Sequence, residues 1–222
     1  MKKHTLLSDL AVFLLIIFLF IVPPFFAAAV SPAKPLFSGW NFPWYQLLLA
    51  LMGFILLFFY YEFTQKRTLI VFPILFTFGM LFAVSLFCRF LSEMSGLIDG
   101  EFILSKPSGA LQWFFCLVNF FFAAFYEEVL YRFYFVDELF CLITSLSANL
   151  AARKKILPFI WILCEILALV CFAFAHLYMG WISVLNAALA HVFLRLCYKK
   201  TGKLWPCVAS HFIYNVISLI LL

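Results

Sequence analysis

The sequence predicts an all-α protein, a polytopic transmembrane helical bundle of about seven helices. Two features of the composition lead to this prediction. The 222 residues are 67% hydrophobic and only 11% charged, whereas a soluble domain has about 25% charged residues. The chain also contains 32 Phe residues, more than the core of a water-soluble domain of this length could bury.

Seven apolar segments are candidates for membrane spans, because about 20 apolar residues cross the hydrocarbon core of a bilayer. Pro23 and Pro24 are expected to kink the first segment, which neighbouring helices make tolerable in a membrane. Because Lys2 and Lys3 precede it, this segment could instead be a signal peptide, but its length favours an uncleaved helix. The seven segments are Ala11–Val30, Tyr45–Tyr61, Leu69–Phe90, Ala110–Phe125, Leu157–Ala175, Trp181–Cys197 and Leu204–Leu222.

The basic residues predict the orientation, since cytoplasmic segments of membrane proteins are enriched in Lys and Arg. With the N-terminus in the cytoplasm, only Lys34, Arg89 and Lys106 lie outside. The basic residues that then lie inside are Lys2, Lys3, Lys66, Arg67, Arg132, Arg153, Lys154, Lys155, Arg195, Lys199, Lys200 and Lys203. We therefore expect the N-terminus in the cytoplasm.

The remaining composition predicts one integral membrane domain over residues 1–222, embedded in a lipid bilayer. No basic run with interleaved aromatic residues suggests a nucleic-acid surface, so nucleic acid is not expected as a partner. The seven Cys residues form no CxxC pair, and neither a disulfide framework nor a thiolate zinc site is expected.

Ionisable groups inside a membrane are costly, so each calls for a partner or a function. The first such group is Glu127-Glu128-Val129-Leu130-Tyr131-Arg132, at the end of the fourth segment. Glu128 and Arg132 are four residues apart and can pair on one helix face. Glu127 lies about 100° around the helix and is free to face elsewhere. The alternative interpretation is a helix end with ordinary interfacial charges.

Two further polar groups lie within apolar segments. His176 closes the fifth segment, and His211 and Asn215 share one helix face in the last. Each alone has a plain interpretation: an interfacial or packed His, and interhelical hydrogen bonds of roughly 1 kcal/mol each. Glu165 lies eleven residues before His176, on nearly the same face, and is a second candidate carboxylate. We interpret His191, with its neighbours in the sixth segment, as part of a helix-packing face.

Together these groups supply what hydrolysis of a peptide bond requires. A carboxylate in a poorly solvated site can take a proton from water. His176 could help to hold that water, and His211 with Asn215 could donate hydrogen bonds to the developing oxyanion. No cofactor is needed for this chemistry, although Glu127, His176 and His211 could also ligate a divalent metal such as zinc. The absence of HExxH excludes the common zincin arrangement.

In this order and spacing, the polar groups resemble the three motifs of the CPBP family, the CAAX-protease and bacteriocin-processing membrane proteins, also called Abi proteins. The stretch KKTGKLWP at 199–206 also resembles the family's run into its last motif. The similarity covers about Phe125 to Leu222, and we place the motif-bearing core at about 110–222. The three motifs are Glu127-Glu128-x-x-x-Arg132, Phe172-x-x-x-His176 and His211-x-x-x-Asn215.

The resemblance implies an intramembrane endopeptidase of a family whose members are often labelled metalloproteases. It further implies that Glu127 and His176 activate the water, that His211 and Asn215 stabilise the oxyanion, and that the pair Glu128–Arg132 supports them, with Phe172 as the motif aromatic. Eukaryotic relatives remove the last three residues of prenylated CAAX proteins. For a chain of this length we expect a bacterial member in the cytoplasmic membrane, acting on a peptide or protein that need not be prenylated.

The predicted spans conflict with this site. If the fourth span runs inward from Ala110 and the fifth outward from Leu157, Glu127 and His176 lie near opposite faces, roughly 25 Å apart at the rise of an α-helix. The two can meet only if the fourth helix continues through Tyr131–Phe135, if the fifth begins around 153–155, or both.

Two other classes of function compete with the peptidase. One is a non-enzymatic immunity factor or scaffold of the same fold, in which the polar groups only hold helices together. The other is a lipid-modifying enzyme, which usually needs a basic pocket, and no such pocket converges on the three motifs. A transporter is disfavoured because no inverted repeat is evident.

Overall fold

The computed structural model of the chain describes residues 5–25, 40–60, 70–95, 106–146 and 154–221, and this part is a helical bundle with no strand. The predicted all-α bundle of about seven helices is confirmed. The helices are α1 (Leu6–Phe25), α2 (Trp44–Tyr60), α3 (Val71–Ser95), α4 (Ala110–Leu146), α5 (Leu157–Phe174), α6 (Trp181–Thr201) and α7 (Trp205–Leu221).

The helices have the length and surface of membrane spans. Five of them (α1, α3, α4, α5 with the turn that follows it, and α6) are long and apolar enough to cross a bilayer, while α2 and α7 are apolar helices of 17 residues. Their outer faces expose large apolar side chains, among them Phe58 at 75% and Phe159 at 72%. Water would disfavour such faces, whereas lipid matches them. The chain is therefore an integral membrane protein.

The largest correction concerns the fourth segment, which does not end at Phe125. Helix α4 continues to Leu146 as a single helix of 37 residues, so the predicted continuation through Tyr131–Phe135 is confirmed. The charges that interrupt the apolar run do not end the helix, because they pair inside the bundle. Arg132 and Arg195, counted above among the basic residues on the inside, are both buried within helices.

Helix α4 is the centre of the bundle and contacts α2 and α7 along its first half and α1 and α5 along its second. Helix α2 runs parallel to α4, since Phe54 lies against Phe125 at 4.5 Å and Tyr60 against Tyr134 at 5.2 Å between ring centroids. Gly53 brings the two helices close: a Cβ there would lie 3.2 Å from the ring of Phe125. The residues just before the two glutamates are thus packed tightly.

A π-type turn interrupts α4 at Val129–Tyr134, and all six of its side chains are buried. Such widened turns are rare and are frequently found at functional sites. The guanidinium of Arg195, from α6, donates a hydrogen bond to the main-chain carbonyl of Arg132 within this turn. A second π-type turn, Ile17–Ile21, immediately precedes the residues of α1 that contain Pro23 and Pro24.

Candidate active site

A fully buried ion pair lies in the middle of α4, where the widened turn begins. The side chains of Glu128 and Arg132 have no solvent exposure. Arg132 donates from Nε to Glu128 Oε2 at 3.0 Å and from Nη2 to Oε1 at 3.3 Å. This is the contact that their spacing predicts. The alternative interpretation of these two residues as interfacial charges is wrong, because neither reaches the surface.

His211 of α7 joins this pair to the neighbouring glutamate. Its Nδ1 lies 2.9 Å from Oε1 of Glu128 and donates to it, because a carboxylate paired with Arg can only accept. Its Nε2 faces Oε2 of Glu127 at 3.9 Å. That distance is too long for a direct hydrogen bond but suits two groups that share a small polar molecule between them.

Glu127 differs from Glu128 in what its carboxylate contacts. Oε2 of Glu127 is buried and has no hydrogen-bond partner among the described residues, although the side chain as a whole is 22% exposed. A buried carboxylate oxygen without a partner is unusual, because burial without a hydrogen bond is costly. Of the two adjacent glutamates, Glu127 therefore has a carboxylate oxygen without a hydrogen bond, whereas both oxygens of Glu128 accept hydrogen bonds.

Phe172 of α5 connects His176 to the same cluster. The guanidinium of Arg132 stacks over its buried ring, 4.3 Å from the ring centroid. The same ring contacts the rings of His176 and Tyr131, at centroid distances of 4.9 and 5.2 Å. His176 follows the end of α5, and its Nδ1 lies 2.8 Å from the carbonyl oxygen of Phe172. Nδ1 must donate to that oxygen, which leaves Nε2 of a neutral ring as an acceptor.

The antiparallel packing of α4 and α5 removes the separation that the predicted spans implied. The rings of Tyr131 and Phe172 are in contact, and so are those of Phe140 and Trp161, at 5.1 Å, further along α4 and further back along α5. Glu127 lies one turn before Tyr131, and His176 one turn after Phe172. In an antiparallel pair these two turns are at the same level.

Asn215 lies one turn beyond His211 on the same face of α7. It is half-buried, and no hydrogen bond to its amide occurs within the described ranges. The structure therefore brings Glu127, Glu128, Arg132 and His211 into one cluster, joins His176 to it through Phe172, and places Asn215 by its helix position alone.

The cluster does not form a metal site as it stands. Among the residues that the structure describes, no three His, Cys, Asp or Glu side chains are arranged to hold a metal ion. Glu128 is saturated by Arg132 and His211, so the atoms that could still bind an ion are Oε2 of Glu127, Nε2 of a neutral His211 and Nε2 of His176. A catalytic zinc site uses three protein ligands directed at one point, and these three are not arranged in that way.

His191 is the member of the cluster that sequence reasoning missed. We interpreted it as part of a helix-packing face, but its Nδ1 accepts a hydrogen bond from Nη1 of Arg132, and its ring contacts Phe172 at 5.5 Å. A His in the interior of an apolar helix was the signal that could have found it. Its neighbour Asn186 does bridge helices, donating to the hydroxyl of Tyr214 at 3.0 Å.

Glu165, the second candidate carboxylate, is fully paired outside this cluster. It accepts hydrogen bonds from Arg195 at 2.8 and 2.9 Å and contacts Lys199 at 2.7 Å. Asp137 completes the group at 3.9 Å from Arg195. We call these four residues the α5–α6 ion cluster, after the helices that contain Glu165, Arg195 and Lys199, and Asp137 contributes to it from α4. They supply the partners that an intramembrane carboxylate requires.

Comparison with known proteins identifies the family. Residues 109–217, about half of the chain, match the family model described as type II CAAX prenyl endopeptidase, Rce1-like. The chain belongs to the CAAX-protease family. The matched range begins just before α4, ends within α7 and includes the three residue groups that carry the resemblance described above. No curated protein and no solved structure matches the chain.

Proposed function

We propose that the chain is an intramembrane endopeptidase in which Glu127 is the general base. The observation that supports this most directly is Oε2 of Glu127, buried without a partner and facing Nε2 of His211 at 3.9 Å. The neighbouring Glu128 is saturated by an arginine and a histidine. A free, poorly solvated carboxylate beside a closed ion network is suited to accept a proton.

In the proposed reaction, Glu127 takes one proton from a water molecule, and the water oxygen forms a bond to the carbonyl carbon of the scissile peptide. The carbonyl oxygen becomes an oxyanion. When the C–N bond breaks, the electron pair of the oxyanion restores the carbonyl, and the proton passes from Glu127 to the leaving amine. Glu127 ends as the carboxylate from which it began, and no metal takes part in any step.

Three side chains assist Glu127 in this scheme. His176 accepts a hydrogen bond from the attacking water at Nε2, because Nδ1 is occupied by the carbonyl of Phe172. His211 and Asn215 donate to the oxyanion. Since Nδ1–H of His211 is directed at Glu128, donation from Nε2 requires the imidazolium form, whose charge lies between two carboxylates.

We further propose that the substrate is a peptide or protein segment that reaches the site at the membrane, with a prenylated C-terminus as the first class to test. The proposed setting is a bacterial cytoplasmic membrane, with the N-terminus in the cytoplasm and residues 1–222 forming one membrane domain. Family membership supports a peptide or protein substrate, and the apolar outer faces of the helices support the membrane setting.

The deciding experiment is a peptidase assay of the purified chain in detergent. A quenched farnesylated CAAX peptide would be compared with a pool of unprenylated peptides, each with and without a chelator. The Glu127→Gln variant tests the base, and Glu165→Gln is the matched control, since it makes the same change at a paired glutamate. Cleavage lost only in Glu127→Gln supports the proposal, and loss on chelation assigns a metal instead of Glu127 alone. A folded wild-type chain that cleaves no peptide would favour the immunity or scaffold alternative.

A further inference from the structure

Two side chains of helix α6 bind Arg132, one at its guanidinium and the other at its main-chain carbonyl. His191 and Arg195, one helical turn apart, face the widened turn of α4. Nδ1 of His191 contacts Nη1 of the Arg132 guanidinium, and the Arg195 guanidinium contacts the main-chain carbonyl of Arg132. Because Arg195 fixes the backbone, the direction of the Arg132 side chain depends on its two side-chain partners, Glu128 and His191.

The chemistry of this contact fixes the form of His191. A guanidinium has only donors, so Nδ1 of His191 must accept, and the proton of the neutral ring lies on Nε2. The ring is only 2% exposed, and Nε2 has no hydrogen-bond partner among the described residues. A buried donor without a partner costs stability. The imidazole therefore has an unsatisfied donor at Nε2, and what it contributes here is the acceptor that Nδ1 offers to the guanidinium.

The contact leads into the candidate active site through a continuous set of bonds. Arg132 binds both oxygens of Glu128 at 3.0 and 3.3 Å, and Glu128 accepts from Nδ1 of His211 at 2.9 Å. Nε2 of His211 in turn faces Glu127. The ring of Phe172 lies against both the guanidinium and His191. It restricts sideways movement of the Arg132 guanidinium, and the acceptor on His191 sets the rotation of the guanidinium plane.

We propose that His191 is a positioning residue of the peptidase: its Nδ1 sets the plane of the Arg132 guanidinium, and thereby the direction in which Glu128 holds His211. This inference rests on the proposed function. The polar contacts of His191 reach the reacting groups through Arg132, Glu128 and His211. Loss of its acceptor should therefore lower kcat and leave KM nearly unchanged.

Three substitutions separate the acceptor from the volume of the ring. In His191→Asn, the amide oxygen can take the place of Nδ1. His191→Leu has nearly the shape of Asn without an acceptor, and His191→Gln places its acceptor one bond further out. We expect kcat to fall about ten- to a hundredfold for Leu and Gln and to stay within about threefold of wild type for Asn, since a hydrogen bond to a charged group is removed only in the first two.

The outcomes that overturn the inference are equally specific. They are an Asn variant as slow as the Leu variant, a Leu variant with the kcat of wild type, or a loss that lies entirely in KM. If the Leu variant does not fold, the comparison of Asn with Gln decides, because both are polar and differ only in where the acceptor lies.

A second measurement does not depend on cleavage. The chain has four His residues, so the imidazole signals of histidine-labelled protein can be assigned by substitution. The signals of His211 should shift in the Leu and Gln variants and stay in place in the Asn variant. Signals of His211 that are unchanged in all three variants would overturn the inference. A wild-type chain that cleaves no peptide while His211 still responds would overturn the peptidase and keep the coupling between His191 and His211.

Discussion

Two carboxylate–arginine groups lie inside the same apolar bundle, and they differ in what their carboxylates leave unbound. In the α5–α6 ion cluster, Glu165 receives two hydrogen bonds from Arg195 and one from Lys199. In the candidate active site, Glu128 is bound just as completely, but the adjacent Glu127 keeps a buried oxygen without a partner. Asp137 of the first group also lacks a close partner, at 3.9 Å from Arg195, but its side chain is 42% exposed. Of the two groups, only the second has a carboxylate oxygen that is both buried and unbound.

This difference shows that burial of charge by itself does not mark chemistry. The α5–α6 ion cluster lies at the edge of the bundle, where the side chain of Lys199 is 47% exposed, and its charges neutralise one another. The Glu128–Arg132 pair is wholly enclosed, so it can serve as a fixed electrostatic support for neighbours that remain unbound. Substitutions that are chemically equal in the two groups should therefore have unequal effects.

The largest expected effect is on catalysis, at Glu127. We expect Glu127→Gln to lower kcat by about a thousandfold, because general-base catalysis contributes about 10²–10⁴-fold, while the free energy of unfolding changes little. The measurement is cleavage of the quenched peptide by purified protein, with thermal unfolding of the same sample followed by circular dichroism.

Glu165→Gln is the control in the other group. It should retain the kcat of wild type and lose less stability than a variant of the enclosed pair, since Glu165 is 18% exposed and Asp137 remains near Arg195 as a second carboxylate. Equal losses of activity in the two variants would remove the distinction between the free and the saturated carboxylate.

The second effect is on stability, at Glu128. Its replacement by Gln leaves Arg132 enclosed without a counter-charge, and breaking a buried pair in this way costs about 3–5 kcal/mol. We expect Glu128→Gln to have a melting temperature well below that of Glu165→Gln, and to lose activity as His211 loses its partner. Chemical denaturation of the two variants side by side measures this difference. A melting temperature equal to that of Glu165→Gln would mean that the Glu128–Arg132 pair is no more costly to break than the Glu165–Arg195 pair.

The third effect concerns the aromatic platform, Phe172. Leu in its place keeps an apolar side chain but removes the ring on which the Arg132 guanidinium lies. A desolvated cation–π contact is worth about 2 kcal/mol, so we expect kcat to fall by up to about thirtyfold. Phe172→Tyr keeps the ring and serves as the control. If the Leu and Tyr variants have the same kcat, the ring is not what holds the site.

The apolar segments along the sequence were enough to predict the bundle and its approximate number of helices, because apolar runs of about 20 residues have few other interpretations. The end of α4 was not predictable from hydropathy, since Glu127, Glu128 and Arg132 look like the end of a span until their partners are known. His211 lies 83 residues from the Glu128 that it binds. Nothing in the local pattern gives such a contact.

The motif residues were predictable as a set because their types and spacing suggest one chemistry. The roles of residues that lie outside any motif were not. His191 and Glu165 are both single ionisable residues in apolar helices, and the sequence treats them alike. The structure separates them: Glu165 pairs with cations in the α5–α6 ion cluster, whereas His191 lies against Arg132. Which side chain faces which neighbour depends on helix register, and register is a property of the packed bundle.

The smallest effect tests how closely the backbone near Glu127 is held. A Cβ at Gly53 would lie 3.2 Å from the ring of Phe125 and 3.8 Å from Cα of Tyr126, whereas a Cβ at Gly79 has nothing within 4 Å. We expect Gly53→Ala to destabilise the chain by about 1 kcal/mol through overpacking, and Gly79→Ala to stabilise it by about 0.5–1 kcal/mol, because Ala favours a helix over Gly.

The activities of the two glycine variants provide a second comparison. Tyr126 directly precedes Glu127, so a shift of α4 away from α2 would move the proposed general base relative to His211. Gly53→Ala should therefore lose a few-fold in kcat beyond what its stability explains, while Gly79→Ala keeps the kcat of wild type. Both variants would be assayed well below their melting temperatures to separate the two causes. If Gly53→Ala is destabilised but fully active, the position of Glu127 tolerates movement of the helix that bears it, and the site owes its geometry to the Glu128–Arg132–His211 contacts alone.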